Sequence, residues 1–437
     1  MSHYKPYPAY RDSGVEWIGQ VPEHWQQSKI AWDMKMTIGW TPPTGNRSYY
    51  GGPHNWVSIA DLSAGRISET KQTLTDDAIA EMRGTQAPAG SLLFSYKLSI
   101  GEVALLERPA YTNEAIAAFH PCKRVYMPFW KYAAPVILPR YSRVNIYGSD
   151  LLNQELMNSA RMAIPDVCEQ QDIADSLDRE TARIDALITK KTRFIELLKE
   201  KRQAIITHAV TQGLDPNATM KDSGVEWIGE VPEHWGITRI KHATLHVVDC
   251  LHTTPTYGGN VQFPAVRTAD IDRGRLFLDQ TRLVSRDVYE ERIQRMKPLA
   301  GDILYSREGE RFGMAALVPE GVDLCLGQRM MMFRIHPTSD SAYIMWVLNS
   351  DSVYQQVVER TGGSTSPHVN ISDVINFHIP IPPLAEQQQI ATHIQKSMEV
   401  FDAITAKSQC SIDLLKERRT AFITAAVTGQ IDLRESA

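Results

Sequence analysis

The chain has 437 residues, enough for two to four domains, and its 43% hydrophobic and 22% charged residues are typical of a globular protein. It has no apolar run near the roughly 20 residues of a membrane span, no signal-peptide core near its first residue, and five scattered cysteines without a CxxC pair. We therefore expect a cytoplasmic protein with no membrane contact and no disulfide or zinc framework.

The first element along the chain is a tryptophan-containing segment that occurs twice. Residues 12–25 read DSGVEWIGQVPEHW and residues 222–235 read DSGVEWIGEVPEHW, so 13 of 14 positions are identical. The internal Gly and Pro residues predict a loop-and-turn element rather than a helix. We interpret it as a structural clip against the long helices described below, in which His24 and His234 make structural hydrogen bonds.

Each clip is followed by a mixed segment of about 140 residues. Short apolar runs such as LLFSY, DILYS and MMMFRI predict strands, and Asp340 to Arg360 predicts a helix. The first segment holds 14 Lys and Arg against 11 Asp and Glu, and the second holds 15 against 16. Neither is strongly basic, and the net charge of the chain is −5, so DNA binding would need local clusters or help from partners.

A long segment with a narrow apolar seam follows each mixed segment. Residues 169–215 match residues 386–432 at 21 of 47 positions, and the helical part contains no Gly or Pro. Apolar residues spaced by three and four positions predict two long coiled-coil helices, each about 60 Å long at about 1.5 Å per residue. The seam residues are Ile173, Leu177, Ile184, Leu187, Phe194, Leu198 and Ile205 in the first copy, and Ile390, Ile394, Phe401, Ile404, Ile412, Leu415 and Phe422 in the second.

These repeats define the organisation as clip, domain and helix, twice over. The predicted fold class is α+β, with two globular domains separated by two long helices that pair as an antiparallel coiled coil, giving an internal repeat with pseudo-twofold symmetry. Shared helices and clips with divergent domains favour a bivalent protein that recognises two different targets. The predicted parts are an N-terminal clip (1–25), a first domain (26–165), a central long helix (166–212), a linker and second clip (213–235), a second domain (236–382) and a C-terminal long helix (383–432).

Known catalytic signatures are missing from the sequence. It contains no GxxxxGK[ST] phosphate loop, no GxSxG nucleophile elbow and no HExxH metal motif. It also lacks the Asn/Asp-Pro-Pro-Tyr/Phe motif that grips a flipped base in amino-methyltransferases. We therefore predict a non-catalytic chain without metal-binding residues.

Candidate DNA-contacting residues lie in polar and aromatic loops of the two divergent domains. Arg and Lys pair with guanine edges or phosphate, and Ser and Thr contact either bases or phosphate. The candidates are Ser95, Tyr96, Lys97, Arg140, Arg143 and Tyr147 in the first domain, and His252, Thr254, Arg307, Arg311, Ser364, Ser366 and His368 in the second.

The doubled motifs resemble those of the specificity subunit of type I restriction-modification enzymes. They are the clip, the Ile-Pro and Glu-Gln-Gln residues at 164–171 and 381–388, and the LLKEKR and LLKERR runs near the helix ends. The resemblance covers nearly the whole chain. It implies that each domain is a target recognition domain for one half of a bipartite, asymmetric sequence in double-stranded DNA, and that the helices set the half-site spacing.

The resemblance also implies the partners and their cofactors. Two methylation subunits would dock on the helices and carry S-adenosylmethionine, and restriction subunits would carry ATP and Mg. This chain itself would bind no cofactor.

Three other interpretations remain open at this point, and one of them keeps the resemblance but places the chain in a complex that only methylates DNA. A coiled-coil adaptor that presents two protein-binding domains is favoured by the net charge of −5. A DNA affinity that falls steeply with salt would argue against it, because such a fall reports phosphate contacts. A self-sufficient DNA enzyme is opposed by the missing signatures, and methyl transfer by the isolated chain would favour it.

Overall fold

The protein is described by a computed structural model that covers residues 5–81, 85–97, 99–144, 150–258, 260–309, 311–361 and 369–434. The chain divides into two compact units. Unit 1 comprises Met1–Lys191 and Cys410–Ala437, and unit 2 comprises Thr192–Gln409. Two long helices, α5 (Val167–Gln212) and α11 (Leu384–Val427), each contribute one part to unit 1 and the other to unit 2.

The two segments with an apolar seam form single long helices, as the spacing predicts. Helix α5 has 46 residues and α11 has 44. Asp166 caps α5 by accepting a hydrogen bond from the Glu169 backbone N–H at 3.0 Å, and Gly213, with φ of 78°, ends it. Most seam residues are buried, but Leu187 and Phe194 are 39% and 44% exposed near the middle of α5, where the chain passes from unit 1 to unit 2.

Unit 1 is built around a sheet with the strand order β4-β11-β8-β9-β6 and a second sheet with the order β10-β5-β7. Strand β11 runs antiparallel to both β4 and β8. The strands are β1 (Tyr10–Asp12), β2 (Gln20–Pro22), β3 (Gln26–Lys29), β4 (Met36–Ile38), β5 (Tyr50–Val57), β6 (Arg66–Ile67), β7 (Gln72–Leu74), β8 (Leu92–Ser95), β9 (Val103–Leu106), β10 (Tyr111–Thr112), β11 (Ile116–Phe119), β12 (Arg143–Val144), β13 (Asp150–Leu151) and β14 (Arg161–Ile164). The shorter helices are α1 (Ile30–Asp33), α2 (Asp76–Glu81), α3 (Met127–Ile137) and α4 (Gln154–Ser159).

The last part of the chain completes the core of unit 1. Phe422 and Val427 of α11 are buried in the same cluster as Trp25 of the clip and Ile173 of α5. Beyond the helix, the backbone N–H of Asp432 donates a 2.9 Å hydrogen bond to the Lys5 carbonyl. Unit 1 therefore needs the first and the last segments of the chain together.

Unit 2 repeats this plan with the strand orders β18-β26-β23-β24 and β22-β19-β25. Strand β26 runs antiparallel to β18 and β23. The strands are β15 (Met220–Asp222), β16 (Glu230–Pro232), β17 (Gly236–Arg239), β18 (Thr244–Asp249), β19 (Val261–Val266), β20 (Ile271–Asp272), β21 (Arg275–Leu276), β22 (Leu283–Ser285), β23 (Ile303–Ser306), β24 (Ala315–Leu317), β25 (Cys325–Leu326), β26 (Met330–Ile335) and β27 (His378–Ile381). The shorter helices are α6 (Ile240–Ala243), α7 (Arg286–Ile293), α8 (Ser341–Leu348), α9 (Asp351–Thr361) and α10 (Ile371–Val374).

The single helix predicted for residues 340–360 is instead two helices, α8 and α9. The break falls at Asn349, whose side-chain amide exchanges two 3.0 Å hydrogen bonds with the backbone N–H and C=O of Ala315 in β24. This buried pairing fixes the end of α8 on the sheet, and the apolar periodicity of the sequence does not report it.

The clip folds as a β-hairpin, which confirms that it is not helical. In unit 1, His24 Nε2 lies 2.7 Å from Glu169 Oε2, while Trp25 Nε1 and the Tyr7 hydroxyl donate to Glu169 Oε1 at 3.0 and 2.8 Å. Glu169 is only 4% exposed and lies in the first turn of α5, where the helix dipole favours negative charge. A buried carboxylate therefore fastens the clip to the helix.

Tyr7 is kept as a hydrogen-bond donor in this arrangement. Burial raises the pKa of its hydroxyl well above the ordinary value, and the hydrogen bond to Glu169 raises it further. The hydroxyl therefore stays protonated at neutral pH.

The second copy of this fastening is looser. His234 Nε2 lies 2.9 Å from Glu386 Oε2, but the side chain of Glu386 is 27% exposed. The buried indole N–H of Trp235 has no hydrogen-bond partner among the described residues. The same motif is therefore tighter in unit 1 than in unit 2.

The glutamine that follows each glutamate ties the long helix to its domain. The Gln170 side chain accepts a hydrogen bond from the Tyr126 backbone N–H at 2.8 Å and donates to the Pro165 carbonyl at 3.0 Å. Gln387 accepts in the same way from the Asp340 backbone N–H at 2.8 Å. Tyr126 and Asp340 immediately precede α3 and α8. The repeated Glu-Gln pair thus joins clip, domain and helix.

The described part of the chain holds no helix that is both long and apolar enough to cross a membrane. The cysteines (Cys122, Cys168, Cys250, Cys325 and Cys410) are all free thiols. Nowhere in the described ranges do three or more His, Cys, Asp or Glu side chains group in a way that could hold a metal ion.

We predict that the substitution Glu169→Ala lowers the free energy of unfolding of the chain by about 2–4 kcal/mol, because two buried donors lose their acceptor. The matched substitution Glu386→Ala should cost about 1 kcal/mol or less, because its pairing is partly exposed. Denaturant unfolding followed by tryptophan fluorescence measures both. Equal losses for the two variants would contradict the tighter fastening in unit 1.

Candidate nucleic-acid interface

Three chain segments of unit 2 meet at one edge of the sheet that contains β26. Asp249 at the end of β18 pairs with Met331, and Ser306 at the end of β23 pairs with Met330, the first residue of β26. The segment after Asp249, the segment after Ser306 and the turn before Met330 therefore share this edge. The first carries the predicted residues His252 and Thr254, and the second carries Arg307 and Arg311.

The corresponding edge of unit 1 is built in the same way. Ile38 at the end of β4 pairs with Ala117, and Ser95 at the end of β8 pairs with Ile116 at the start of β11. The segments after these two strands and the turn at residues 113–115 lie together. This edge carries the predicted residues Ser95, Tyr96 and Lys97.

At each edge a threonine hydroxyl forms a hydrogen bond with a side chain of the facing turn, but the residue in the turn differs between the units. In unit 1 the Thr41 hydroxyl donates a hydrogen bond to the Glu114 carboxylate. In unit 2 the Thr254 hydroxyl lies 2.9 Å from Nε2 and 3.0 Å from Oε1 of Gln328. Glu114 and Gln328 are not among the residues predicted from sequence. The available signal was their position just before the apolar strands IAAF and MMMFRI.

Three predicted contact residues are buried in the protein, so their side chains are not available to DNA. Ser95 is 0% exposed and Tyr96 is 5% exposed, with its hydroxyl donating to the Glu114 carbonyl at 2.6 Å. Burial raises the pKa of Tyr96 above its ordinary value. Arg307 is 3% exposed, and its Nη2 lies 2.9 Å from Asp249 Oδ1 in an ion pair outside hydrogen-bond geometry. This burial corrects the sequence prediction, because these residues end or directly follow core strands.

Two arginines, Arg292 and the exposed Arg295, hold the segment after β18 in place. Arg292, 8% exposed, donates to the carbonyl of Thr253 and to the Leu326 carbonyl, the latter at 3.1 Å. Arg295 donates to the Asp249 carbonyl at 3.1 Å. His252 and Thr254 are exposed, but the backbone of their segment is held in place by hydrogen bonds from Arg292 and Arg295.

Arg311 also donates hydrogen bonds to backbone carbonyls of the protein. Its Nη1 lies 3.1 Å from the carbonyl oxygens of both Ala269 and Ile271. The guanidinium is only partly exposed, and these contacts orient it along the segment after β23.

Lys97 and Glu114 give the edge of unit 1 one charge of each sign. Both side chains are exposed. The hydrogen bond from Thr41 lowers the pKa of Glu114 below its ordinary value, and the charge of Lys97 lowers it further, while partial burial opposes both effects. Glu114 is therefore an anion at neutral pH.

The remaining predicted residues are not placed at these edges by any described contact. Arg140 is exposed and lies 5.6 Å from the ring of Trp17 in the clip. Arg143 is exposed on the short strand β12. Tyr147, Ser364, Ser366 and His368 lie outside the described residues.

Comparison with known proteins identifies the family. The family model for the type I restriction modification DNA specificity domain matches residues 38–197 and 270–412, which is more than half of the chain. The chain therefore belongs to the family of specificity subunits of type I restriction-modification systems. This finding confirms the resemblance drawn from the doubled motifs.

Individual relatives match over most of their length. The MjaIX specificity subunit of Methanocaldococcus jannaschii is 23% identical over 435 residues, covering 96% of each chain. The EcoBI specificity subunit of Escherichia coli is 21% identical over 366 residues, covering 79% of this chain and 76% of that protein.

Two solved structures share the fold. A chain from work on complex assembly and conformational transition of the type I R-M system has a TM-score of 0.70 at 15% identity, with 94% of this chain and 99% of that chain covered. The HsdS subunit from Thermoanaerobacter tengcongensis has a TM-score of 0.53 at 15% identity, with 94% and 98% covered.

We predict that the substitution Arg307→Ala lowers the free energy of unfolding by about 3–5 kcal/mol, because it leaves the Asp249 carboxylate without its buried cation. The control Arg286→Ala removes the same charge from an exposed pair with Glu290 and should change stability by about 0.5 kcal/mol or less. Denaturant unfolding compares the two. A loss of DNA specificity with unchanged stability in the Arg307 variant would contradict its structural role.

Proposed function

We propose that this chain gives a type I restriction-modification complex its DNA sequence specificity, with each domain recognising one half of a bipartite, asymmetric target. The observation that carries the proposal is the pair of equivalent sheet edges that present different side chains. Thr41 with Glu114 occupies in unit 1 the place of Thr254 with Gln328 in unit 2. Two edges of one design and different chemistry suit two different half-sites.

The exposed chemistry at these edges fits base recognition in the major groove. Lysine pairs with guanine or phosphate, a carboxylate accepts from cytosine N4, and glutamine pairs with adenine. Lys97, Glu114 and Gln328 supply these groups on segments anchored to the sheets. Contacts to phosphate would set the position on the duplex, and contacts to base edges would specify the sequence.

Ion pairs between the long helices support their pairing as an antiparallel coiled coil with pseudo-twofold symmetry. Within unit 1, Arg419 of α11 bonds to Asp185 of α5 at 2.9 Å. Within unit 2, Arg202 of α5 bonds to Asp402 of α11 at 2.7 Å. The two pairs are equivalent positions of the sequence repeat with the helices exchanged. In this proposal the paired helices are the spacer that sets the distance between half-sites.

The helices are also the proposed docking sites for two methylation subunits. Apolar side chains remain exposed along them, as expected for surfaces covered in a complex. These side chains are Leu187, Phe194 and Leu197 of α5 and Val400 and Leu414 of α11, each between 39% and 59% exposed.

The complex would divide its chemistry among its subunits. We place S-adenosylmethionine on the methylation subunits, and ATP and Mg on restriction subunits, with this chain supplying recognition and no catalysis. The complex would act in the cytoplasm, where it meets chromosomal DNA.

The test is long-read methylation mapping of DNA from cells that express this chain with the methylation subunit encoded beside it. A bipartite, asymmetric motif with a modified adenine in each half is the expected result. An assembled complex that modifies no such motif would remove the proposal.

We predict that inserting four residues between Val210 and Gly213, at the end of α5, lengthens the gap between half-sites by about one to two base pairs. One helical turn adds about 5.4 Å, and one base-pair step spans about 3.4 Å. Methylation mapping reads the gap directly. The control is the same insertion after Glu320, in an exposed turn of unit 2, which should leave the gap unchanged. An unchanged gap in the first variant would rule out the spacer role.

We predict that replacing residues 26–165 with the matching domain of another specificity subunit changes one half of the motif only. Strands β3 and β14 pair along Gln26–Lys29 and Arg161–Ile164, so the replaced segment brings its own closing strand pair. Methylation mapping of the hybrid complex reports both halves. A change in both halves would contradict independent recognition by the two domains.

A further inference from the structure

Arg329 has an unusual backbone conformation at the edge of unit 2. Its φ is 68°, and it is the only non-glycine residue with positive φ in the described part of the chain. This left-handed conformation costs a residue with a side chain about 1–2 kcal/mol. The Arg307 backbone N–H donates to the Arg329 carbonyl at 3.1 Å, which holds the turn against the segment after β23. The fold thus maintains a strained turn with a long cation at its tip.

The side chain of Arg329 is more exposed to solvent than those of the nearby Arg292, Arg307 and Arg311. Its side chain is 56% exposed, and Nε lies 3.1 Å from Glu308 Oε2. Arg307 is buried against Asp249, and Arg292 and Arg311 donate to backbone carbonyls. Those three arginines build the edge, whereas Arg329 projects from it with one partly exposed carboxylate to orient it.

The two edges carry opposite charges in equivalent segments. Lys97 follows β8 by two residues, as Glu308 follows β23. Glu114 stands two residues before β11, at the place of Gln328, and Arg329 stands one residue after Gln328 in the equivalent turn, directly before β26. Unit 1 therefore has its cation after the strand and its anion in the turn, and unit 2 has the reverse. A structural salt bridge would not need this exchange, but recognition of two different half-sites would.

We propose that Arg329 is a specificity-determining residue that recognises a guanine in the half-site bound by unit 2. The guanidinium would donate to O6 and N7 of the base in the major groove, a bidentate pairing that lysine cannot reproduce. Glu308 orients the side chain before DNA binds, and the Thr254–Gln328 contact fixes the neighbouring residue of the turn. This inference rests on the function proposed above and adds a residue and a base to it.

The experiment uses the complete complex with Arg329→Ala, Arg329→Gly and Arg329→Lys, and with Arg286→Ala as the matched control. Methylation mapping gives the motif of each complex. Methylation rates are then measured on duplexes that carry each of the four bases at every position of the unit 2 half-site. Thermal unfolding and assembly are recorded for every variant.

We expect Arg329→Ala and Arg329→Gly to keep the unit 1 half of the motif and to lose about 10- to 100-fold of the discrimination at a single guanine position. The glycine variant should unfold at no lower a temperature than wild type, because glycine adopts positive φ without strain. Arg329→Lys should keep only part of the discrimination, and Arg286→Ala should keep all of it. A purely structural role would not relax one base position while stability is kept.

Three results would overturn the inference while leaving the proposed function intact. The first is an unchanged motif in both the alanine and the glycine variants. The second is a uniform loss of rate on all duplexes, which would make Arg329 a phosphate contact. The third is a failure of the glycine variant to assemble, which would make Arg329 structural. If the wild-type complex shows no bipartite motif, the proposed function itself fails and the inference fails with it.

Discussion

The buried carboxylate of Glu169, in the first turn of α5, is the contact on which the rest of unit 1 depends, and Glu386 takes the corresponding, partly exposed place in unit 2. Glu169 receives hydrogen bonds from the clip, and the adjacent Gln170 binds the backbone just before α3. A carboxylate so deeply buried is tolerated only when its oxygens have donors. The clip and the helix start therefore form one structural unit, which explains why the His-Trp and Glu-Gln pairs repeat together while the domains between them diverge.

The framework below each sheet edge leaves the exposed side chains of that edge free to differ between the two units. In each unit the core strands end at one edge, and residues that directly follow them, such as Tyr96 and Arg307, are consumed in holding the edge together. Lys97, one position further out, and Glu114, in the facing turn, reach solvent. A rigid sheet that carries variable exposed side chains would place the proposed base contacts accurately, because little conformational entropy is lost on binding.

The order of clip, domain and long helix could be predicted, because sequence repeats and apolar periodicity indicate it directly. The long helices follow from apolar spacing, and the non-helical character of the clip follows from its Gly and Pro residues, whereas its hairpin pairing was not predicted. The candidate DNA-contacting residues could be located only to a segment, because exposure depends on contacts between residues far apart in sequence. The sequence does not show that Arg307 pairs with Asp249 in the interior. It also does not show that the backbone of Arg329 is left-handed. The break between α8 and α9 depends on Asn349 reaching a distant strand.

The division of the chain has a consequence for the order in which the protein folds during synthesis. Unit 2 is made of one continuous segment, Thr192–Gln409, and all of it is translated before Phe422 and Val427. Unit 1 begins first, but Phe422 and Val427 of its core are made only after unit 2. The half whose synthesis starts first is thus the half that is completed last. A chain that stopped after Gln409 would contain every residue of unit 2 but an incomplete core of unit 1.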